Sequence, residues 1–175
     1  GGTDEEASEG AVAAVQSRED GLELLSNNAG SSPSGERLGR LDAETMLHTL
    51  HVNAVGPMIV AQPTLDLLRS GDDPKIVNVS STLGSLTRKS SGGRYSYSSS
   101  KAALNMLTRA LAFDLRSDGI LVVAMHPGWV HTDMGGSGAP VAPPESAQGI
   151  LRVTEELTMS DTGEFYTYEG RQVAW

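Results

Sequence analysis

Tyr97 and Lys101 stand four residues apart in the run Tyr97-Ser98-Ser99-Ser100-Lys101. On a helix that spacing puts both side chains on one face. An ammonium beside a phenol favours the phenolate, whose unperturbed pKa is about 10. A phenol tuned toward neutrality, with a serine hydroxyl nearby, can pass a proton to or from a carbonyl oxygen. Ser80-Ser81, closing the β-rich run KIVNVS, supplies that hydroxyl. Together these residues point to oxidoreduction of an alcohol or a ketone.

Such residues act only if the fold brings them together, and the elements around them alternate between helix and strand. Residues 4–18 read as a helix with acidic residues in its first turn. A short apolar run at 22–26 reads as a strand, closed by Asn27-Asn28-Ala29-Gly30 and a Ser/Gly/Pro loop. A long helix is predicted over 42–69, with Asp42 as its N-cap. Gly56-Pro57 and Pro63 predict a kink or a break in it. Residues 75–80 read as a strand and 96–117 as a second long helix, with Leu104, Leu107, Leu111 and Leu115 at helical spacing. The continuous apolar run ILVVAMH at 120–126 predicts a strand buried on both faces. A Gly/Pro-rich loop at 127–144, a helix at 145–157 and a strand near 164–168 complete the pattern.

Strands separated by helices imply βαβ units and a parallel sheet, so the fold class is α/β. Ligands in such sheets bind beyond the carboxyl ends of the strands. Asn28, Ser81 and residues 127–132 all fall there, each after a different strand.

The 175 residues suffice for one domain with its own core, read here as spanning 1–175. The formal net charge of −9 argues against nucleic acid as a partner. There is no cysteine, hence no disulfide, thiolate metal site or thiol nucleophile, which fits a reducing compartment. No apolar run approaches the ~20 residues a membrane helix needs, and no signal-peptide pattern is visible. The expected location is the cytoplasm, with no membrane partner. His48 and His51 lie three apart on a helix, but no third ligand is placed beside them, and a surface or core role is expected.

Taken together, these motifs resemble the short-chain dehydrogenase/reductase family. Asn28-Ala29-Gly30 is similar to its N-A-G element, which stabilises the central sheet and borders the adenosine pocket. Asn53, in HVNAVGP, matches the family's helix asparagine, which holds a proton-relay water. Ser81 matches the catalytic serine, and Tyr97 with Lys101 matches Y-x-x-x-K. Pro127-Gly128 with Val130 and Thr132 matches the P-G-x-V-x-T element that meets the nicotinamide carboxamide. Ser91-Gly92-Gly93, KAALNMLTRAL, HPGWVHTDMGG and the terminal tryptophan look like the C-factor and sniffer-type carbonyl reductase branch.

The resemblance implies a Rossmann-type doubly wound fold, of which about four parallel strands and their helices are present. It implies an NAD(P)-dependent oxidoreductase acting on a small-molecule carbonyl or alcohol. Tyr97 would be the acid/base and Ser81 the group that polarises the carbonyl. Lys101 would lower the Tyr97 pKa and hold the nicotinamide ribose. The alternative is a non-catalytic signalling or binding protein of the C-factor kind, or an inactive fragment of a longer reductase.

The family's opening strands and its T-G-x-x-x-G-x-G turn are not among these residues. That turn brings backbone N–H groups to the cofactor's pyrophosphate, so NAD or NADP is expected to bind weakly. The strand at 22–26 should leave one edge unpaired, and self-association is expected there. The leucine-striped helix is a second expected contact, as the family commonly dimerises through it. Other readings stay open at single positions. Ser80 competes with Ser81, Asn53 could bond backbone at the Gly56-Pro57 break, Asn28 could be structural, and Thr132 could cap a helix.

Overall fold

The computed structural model describes residues 10, 13–15 and 20–175. Residues 10 and 13–15 are helical, and the rest of the helix expected over 4–18 lies outside the described residues. Four strands form one sheet in the order β1 (Leu24–Asn27), β2 (Lys75–Val79), β3 (Leu121–His126), β4 (Phe165–Thr167). Every pairing is parallel, with Leu24 opposite Lys75, Lys75 opposite Leu121, and Ala124 opposite Phe165. The predicted α/β class therefore holds.

The first strand begins two residues later than predicted. The Leu22 N–H donates to the Leu67 carbonyl (2.9 Å) instead of entering the ladder. Gly71 permits this crossing, since a Cβ there would sit 2.3 Å from the Leu22 carbonyl oxygen. Among the described residues β1 pairs only with β2 and forms one edge of the sheet.

The helices are α1 (Ala43–Leu50), α2 (Gly56–Ser70), α3 (Tyr95–Leu115) and α4 (Pro143–Glu156). Asp42 caps α1 as predicted, accepting from the Thr45 N–H (2.8 Å). Of the kink or break predicted at Gly56-Pro57 and Pro63, the break does not occur. The chain stays helical through both prolines, and a π-helical turn at His51–Val55 joins α1 to α2. In that turn the Gly56 N–H reaches back five residues to the His51 carbonyl. Pro57 follows that turn directly and has no N–H to donate back into it.

Alternation along the strands sorts the core into two layers. Ile76 and Val122 face α2 and α3, packing on Leu68, Ala112 and Leu115. Val77, Leu121, Val123 and Met125 face the other way, onto Val153 and Leu157 of α4 and the turn after it. Helices thus cover both faces, and β3 is buried from Leu121 to Met125, as its unbroken apolar run predicts. Near β4, Trp175 stacks on Phe165 with ring centroids 5.4 Å apart. No helix among the described residues is long and apolar enough to cross a membrane.

Candidate active site

Where β2 ends, the chain separates its two serines. Ser80 is 2% exposed and its hydroxyl donates to Asn105 Oδ1 (2.5 Å), into α3. Ser81 is extended, opens a short 3-10 turn at Thr82–Gly84, and lines a cavity of about 450 Å³. Its hydroxyl accepts from the Leu83 N–H (3.2 Å) and lies near enough to the Tyr97 phenol to favour its ionised form. Ser81, not Ser80, is therefore the hydroxyl beside the tyrosine.

Tyr97 and Lys101 lie on successive turns of α3, with the Lys101 Nζ 5.9 Å from the Tyr97 ring centroid. Lys101 is 4% exposed and donates to the Val79 carbonyl (2.8 Å), which pins α3 to the end of β2. Burial lowers its ammonium to about 8. The expected lowering of the phenol is not what this geometry produces. Burial dominates and holds the Tyr97 phenol above its usual 10, while the nearby Ser81 hydroxyl and the charge of Arg94 act the other way.

Asn53 is fully buried within the π turn. It does not bond backbone at Gly56-Pro57. Its Oδ1 accepts from the Ser31 N–H (2.7 Å), and its Nδ2 donates to the Ser31 carbonyl (2.8 Å) and to Ser100 Oγ (2.9 Å). Ser100 in turn donates to the Tyr97 carbonyl (2.8 Å). One amide thus ties the loop after β1 to the turn of α3 that carries the phenol. Neither Asn53 nor Lys101 is on the cavity wall; they stand behind it.

Pro127, Gly128, Val130 and Thr132 all reach the cavity from the loop after β3. Gly128 has φ +86°, and a Cβ there would meet the Tyr168 ring at 2.9 Å, so both backbone and space call for glycine. Thr132 Oγ1 accepts from the Gly135 N–H (3.1 Å), a turn-capping bond that leaves the residue on the wall. Asn28 is exposed and lines no part of the cavity. Its neighbour Asn27 makes the cross-sheet bond instead, donating to Asn78 Oδ1 (2.9 Å). His48 and His51 are exposed, and no cluster of three metal-ligating side chains occurs among the described residues.

A family model for short chain dehydrogenases matches residues 2–140. The C-signal of Myxococcus xanthus is 43% identical over 154 residues, 88% of this chain and 93% of that protein. The chain belongs to the short-chain dehydrogenase family. The 1-hydroxy-2-glutathionyl-2-methyl-3-butene dehydrogenase of Rhodococcus sp. (strain AD45) is 33% identical over 80% of this chain, which spans only 63% of that enzyme. Among solved structures, the carbonyl reductase Sniffer of D. melanogaster superposes with a TM-score of 0.96 at 36% identity. It covers all of this chain, which covers 76% of it. The NADPH-bound carbonyl reductase from chicken fatty liver gives 0.94 at 36% identity, over all of this chain and 75% of its own. The architecture is thus the C-terminal portion of the Rossmann-type fold.

The cavity has room for a small molecule or one end of a dinucleotide. Its size lies within the range of small-molecule sites, and its walls mix apolar side chains with the hydroxyls of Ser81, Tyr97 and Thr132. A Cβ added to Gly30 would lie 4.0 Å from Lys101 Nζ, so the N-A-G loop backs onto the same corner. Several residues here escape motif reading. Ser32, Trp129 and Met134 line the wall. Glu36 accepts from the Ser96 N–H (3.1 Å) and hydroxyl at the start of α3. That helix has no side-chain cap of its own, which is the one local hint that a distant carboxylate is needed.

Proposed function

We propose that this chain is an NAD(P)-dependent carbonyl reductase, reducing a small-molecule aldehyde or ketone, or oxidising the matching alcohol, at Ser81, Tyr97 and Lys101. The observation that carries this reading is that Ser81 and Tyr97 meet on the wall of one 450 Å³ cavity. A phenol held above 10 keeps its proton at neutral pH and is set to give it to a carbonyl oxygen. The Ser81 hydroxyl, beside that phenol, polarises the same oxygen. Lys101 keeps a positive charge behind the ring, and holding the cofactor's ribose would require its Nζ to turn from the Val79 carbonyl into the cavity. Asn53 fixes the loop and helix between which a relay water sits. Pro127, Gly128, Val130 and Thr132 form the wall for the nicotinamide. When bound, the dinucleotide supplies or accepts the hydride.

Consumption of NADPH or NADH with aldehydes and ketones tests this reading. Activity that survives Tyr97→Phe undiminished would overturn it. The 175 residues carry contacts for the nicotinamide end and not the glycine-rich turn. Their affinity for the free dinucleotide is therefore expected to be weak, and a micromolar Kd by calorimetry would refute that. A second reading is a non-catalytic signalling protein, favoured by the near end-to-end match to C-signal. It predicts no turnover and no cofactor binding at any concentration.

Self-association belongs to the same proposal. The outer edge of β1 has no partner among the described residues, and Leu24 and Leu25 beside it are only half-buried. Light scattering at low micromolar concentration should show species larger than a monomer. A monodisperse monomer would remove the idea.

A further inference from the structure

Residues 85–94 join the Ser81 turn to α3 and carry Arg88, Lys89 and Arg94 without one acidic side chain, on a chain of net charge −9. Lys89 is engaged locally, donating to the Gly93 carbonyl (3.1 Å) and to Ser98 Oγ (3.3 Å). Arg94 makes no ion pair among the described residues, and it lines the cavity beside Tyr97. It is the only lining residue with a formal charge at neutral pH, since burial and Arg88 lower the His126 imidazole to about 4. Of the nearby carboxylates, Glu169 is paired with Arg171, and Glu36 accepts from Ser96 and keeps its charge but makes no ion pair with Arg94.

The backbone at Arg94 makes arginine an odd choice. Arg94 is left-handed, with φ 51° and ψ 42°, and only Asp73 shares a positive φ among the described non-glycine residues. Glycine and asparagine suit that conformation. Arg94 is also the N-cap of α3, a position that favours Ser, Thr, Asn or Asp, and it makes no side-chain cap bond. Local stability therefore does not account for the residue, and strain held beside a cavity points to use.

We propose that Arg94 recognises substrate, and that the preferred substrates are aldehydes or ketones carrying a carboxylate. A guanidinium grips a carboxylate through paired, charge-assisted hydrogen bonds and keeps its charge at every working pH. A carbonyl facing Tyr97 and Ser81 would then lie at one end of the substrate, and the anion at the cavity mouth. This rests on the reductase reading of the same cavity.

The test compares 4-formylbenzoate with its neutral methyl ester in wild type, Arg94→Asn and Arg94→Lys, with NADPH and NADH in turn. Wild type should favour the carboxylate in kcat/KM. Arg94→Asn should lower that preference about tenfold or more, the scale of one charge-assisted hydrogen bond, and Arg94→Lys should keep part of it. Asparagine suits both the left-handed backbone and the cap, so Arg94→Asn should melt no lower than wild type. Equal preference in wild type and Arg94→Asn would overturn the proposal. So would a change confined to the NADPH-over-NADH ratio, which would assign the arginine to the cofactor's phosphate.

Trp129 lines the cavity, so its quenching by 4-nitrobenzoate against methyl 4-nitrobenzoate reads binding without turnover. A carboxylate preference lost in Arg94→Asn, with no turnover of either aldehyde, would keep the anion site and sink the reductase reading. No preference in wild-type binding would sink the anion site whatever the turnover.

Discussion

Through the middle of the sheet, Ile76, Val122 and Val123 are fully buried among aliphatic side chains. At its carboxyl ends Asn53, Asn78 and Thr108 are just as deeply buried, but among hydrogen bonds. The first region is ordered by surface removed from water, a force without direction. The second is ordered by named partners: Asn27 to Asn78, Asn78 to Thr108, Ser80 to Asn105, Lys101 to Val79. Apolar packing tolerates shape changes that keep volume, whereas a buried amide that loses its partner has no substitute. The contrast explains how the chain can hold one phenol and one hydroxyl at a fixed separation on top of an adaptable core.

The sharpest way to test that division is Tyr97→Phe. Turnover with NADPH and an aldehyde should fall about 10²–10⁴-fold, the usual size of an acid/base contribution. Urea denaturation should shift little, because the ring and its burial remain. Phe165→Ala reverses the pattern. Phe165 is fully buried and stacked on Trp175, so its loss should lower stability by about 3–5 kcal/mol.

Asn53→Ala breaks the polar layer instead. It strands the Ser31 backbone groups and should lower stability by about 1–3 kcal/mol. Activity should fall with it, since Ser100 and the Tyr97 turn lose their tie to the loop. Loss of stability with full activity would separate Asn53 from the site.

A pH comparison follows from His126, whose Nδ1 is buried without a partner. Its pKa falls from 6.5 to about 4 on folding. Between those values the unfolded chain binds more protons, so folding stability contributed here rises with pH across that window. Below about 4 the penalty is at its maximum, and above 6.5 it is gone. His126→Asn should therefore flatten the wild-type loss between pH 6.5 and 4 by on the order of 2 kcal/mol. Smallest of all, Glu36→Gln should lower stability by about 0.5–1 kcal/mol, since it weakens the cap on α3.

Much of the frame is legible in local pattern. The ILVVAMH run reads as a buried central strand because both its faces are covered. Asp42 reads as a cap because its partner is three residues away. The nearness of Tyr97, Lys101 and Ser81 is legible because one helix turn and one strand end carry them. What escapes reading depends on distance along the chain. Asn53 meets Ser31 and Ser100, and Ser96 meets Glu36, across separations no local window spans. The phenol's direction of shift escapes for a related reason. Spacing places Lys101 near the ring, but only the packed structure shows burial outweighing charge. The prolines do not break the helix, which changes its hydrogen-bond pattern just before Gly56-Pro57 and continues.

That π turn at His51–Val55 also sets how the chain can change in length. It holds one residue more than an α-turn would need. Removing a single residue there would let ordinary α geometry close the gap, and because the wide turn sweeps about the same angle as an α turn with one residue fewer, everything downstream would keep its face toward the sheet. Ala61, Leu67 and Leu68 would stay packed, and the change would fall on the amide of Asn53, which would lose its aim at Ser31. The extra residue therefore serves the aim of one amide and not the packing of the helix that follows. A one-residue deletion here should leave the sheet and its helices packed while freeing the loop after β1 from α3, and the largely exposed loop at 86–94 should accept one without that loss.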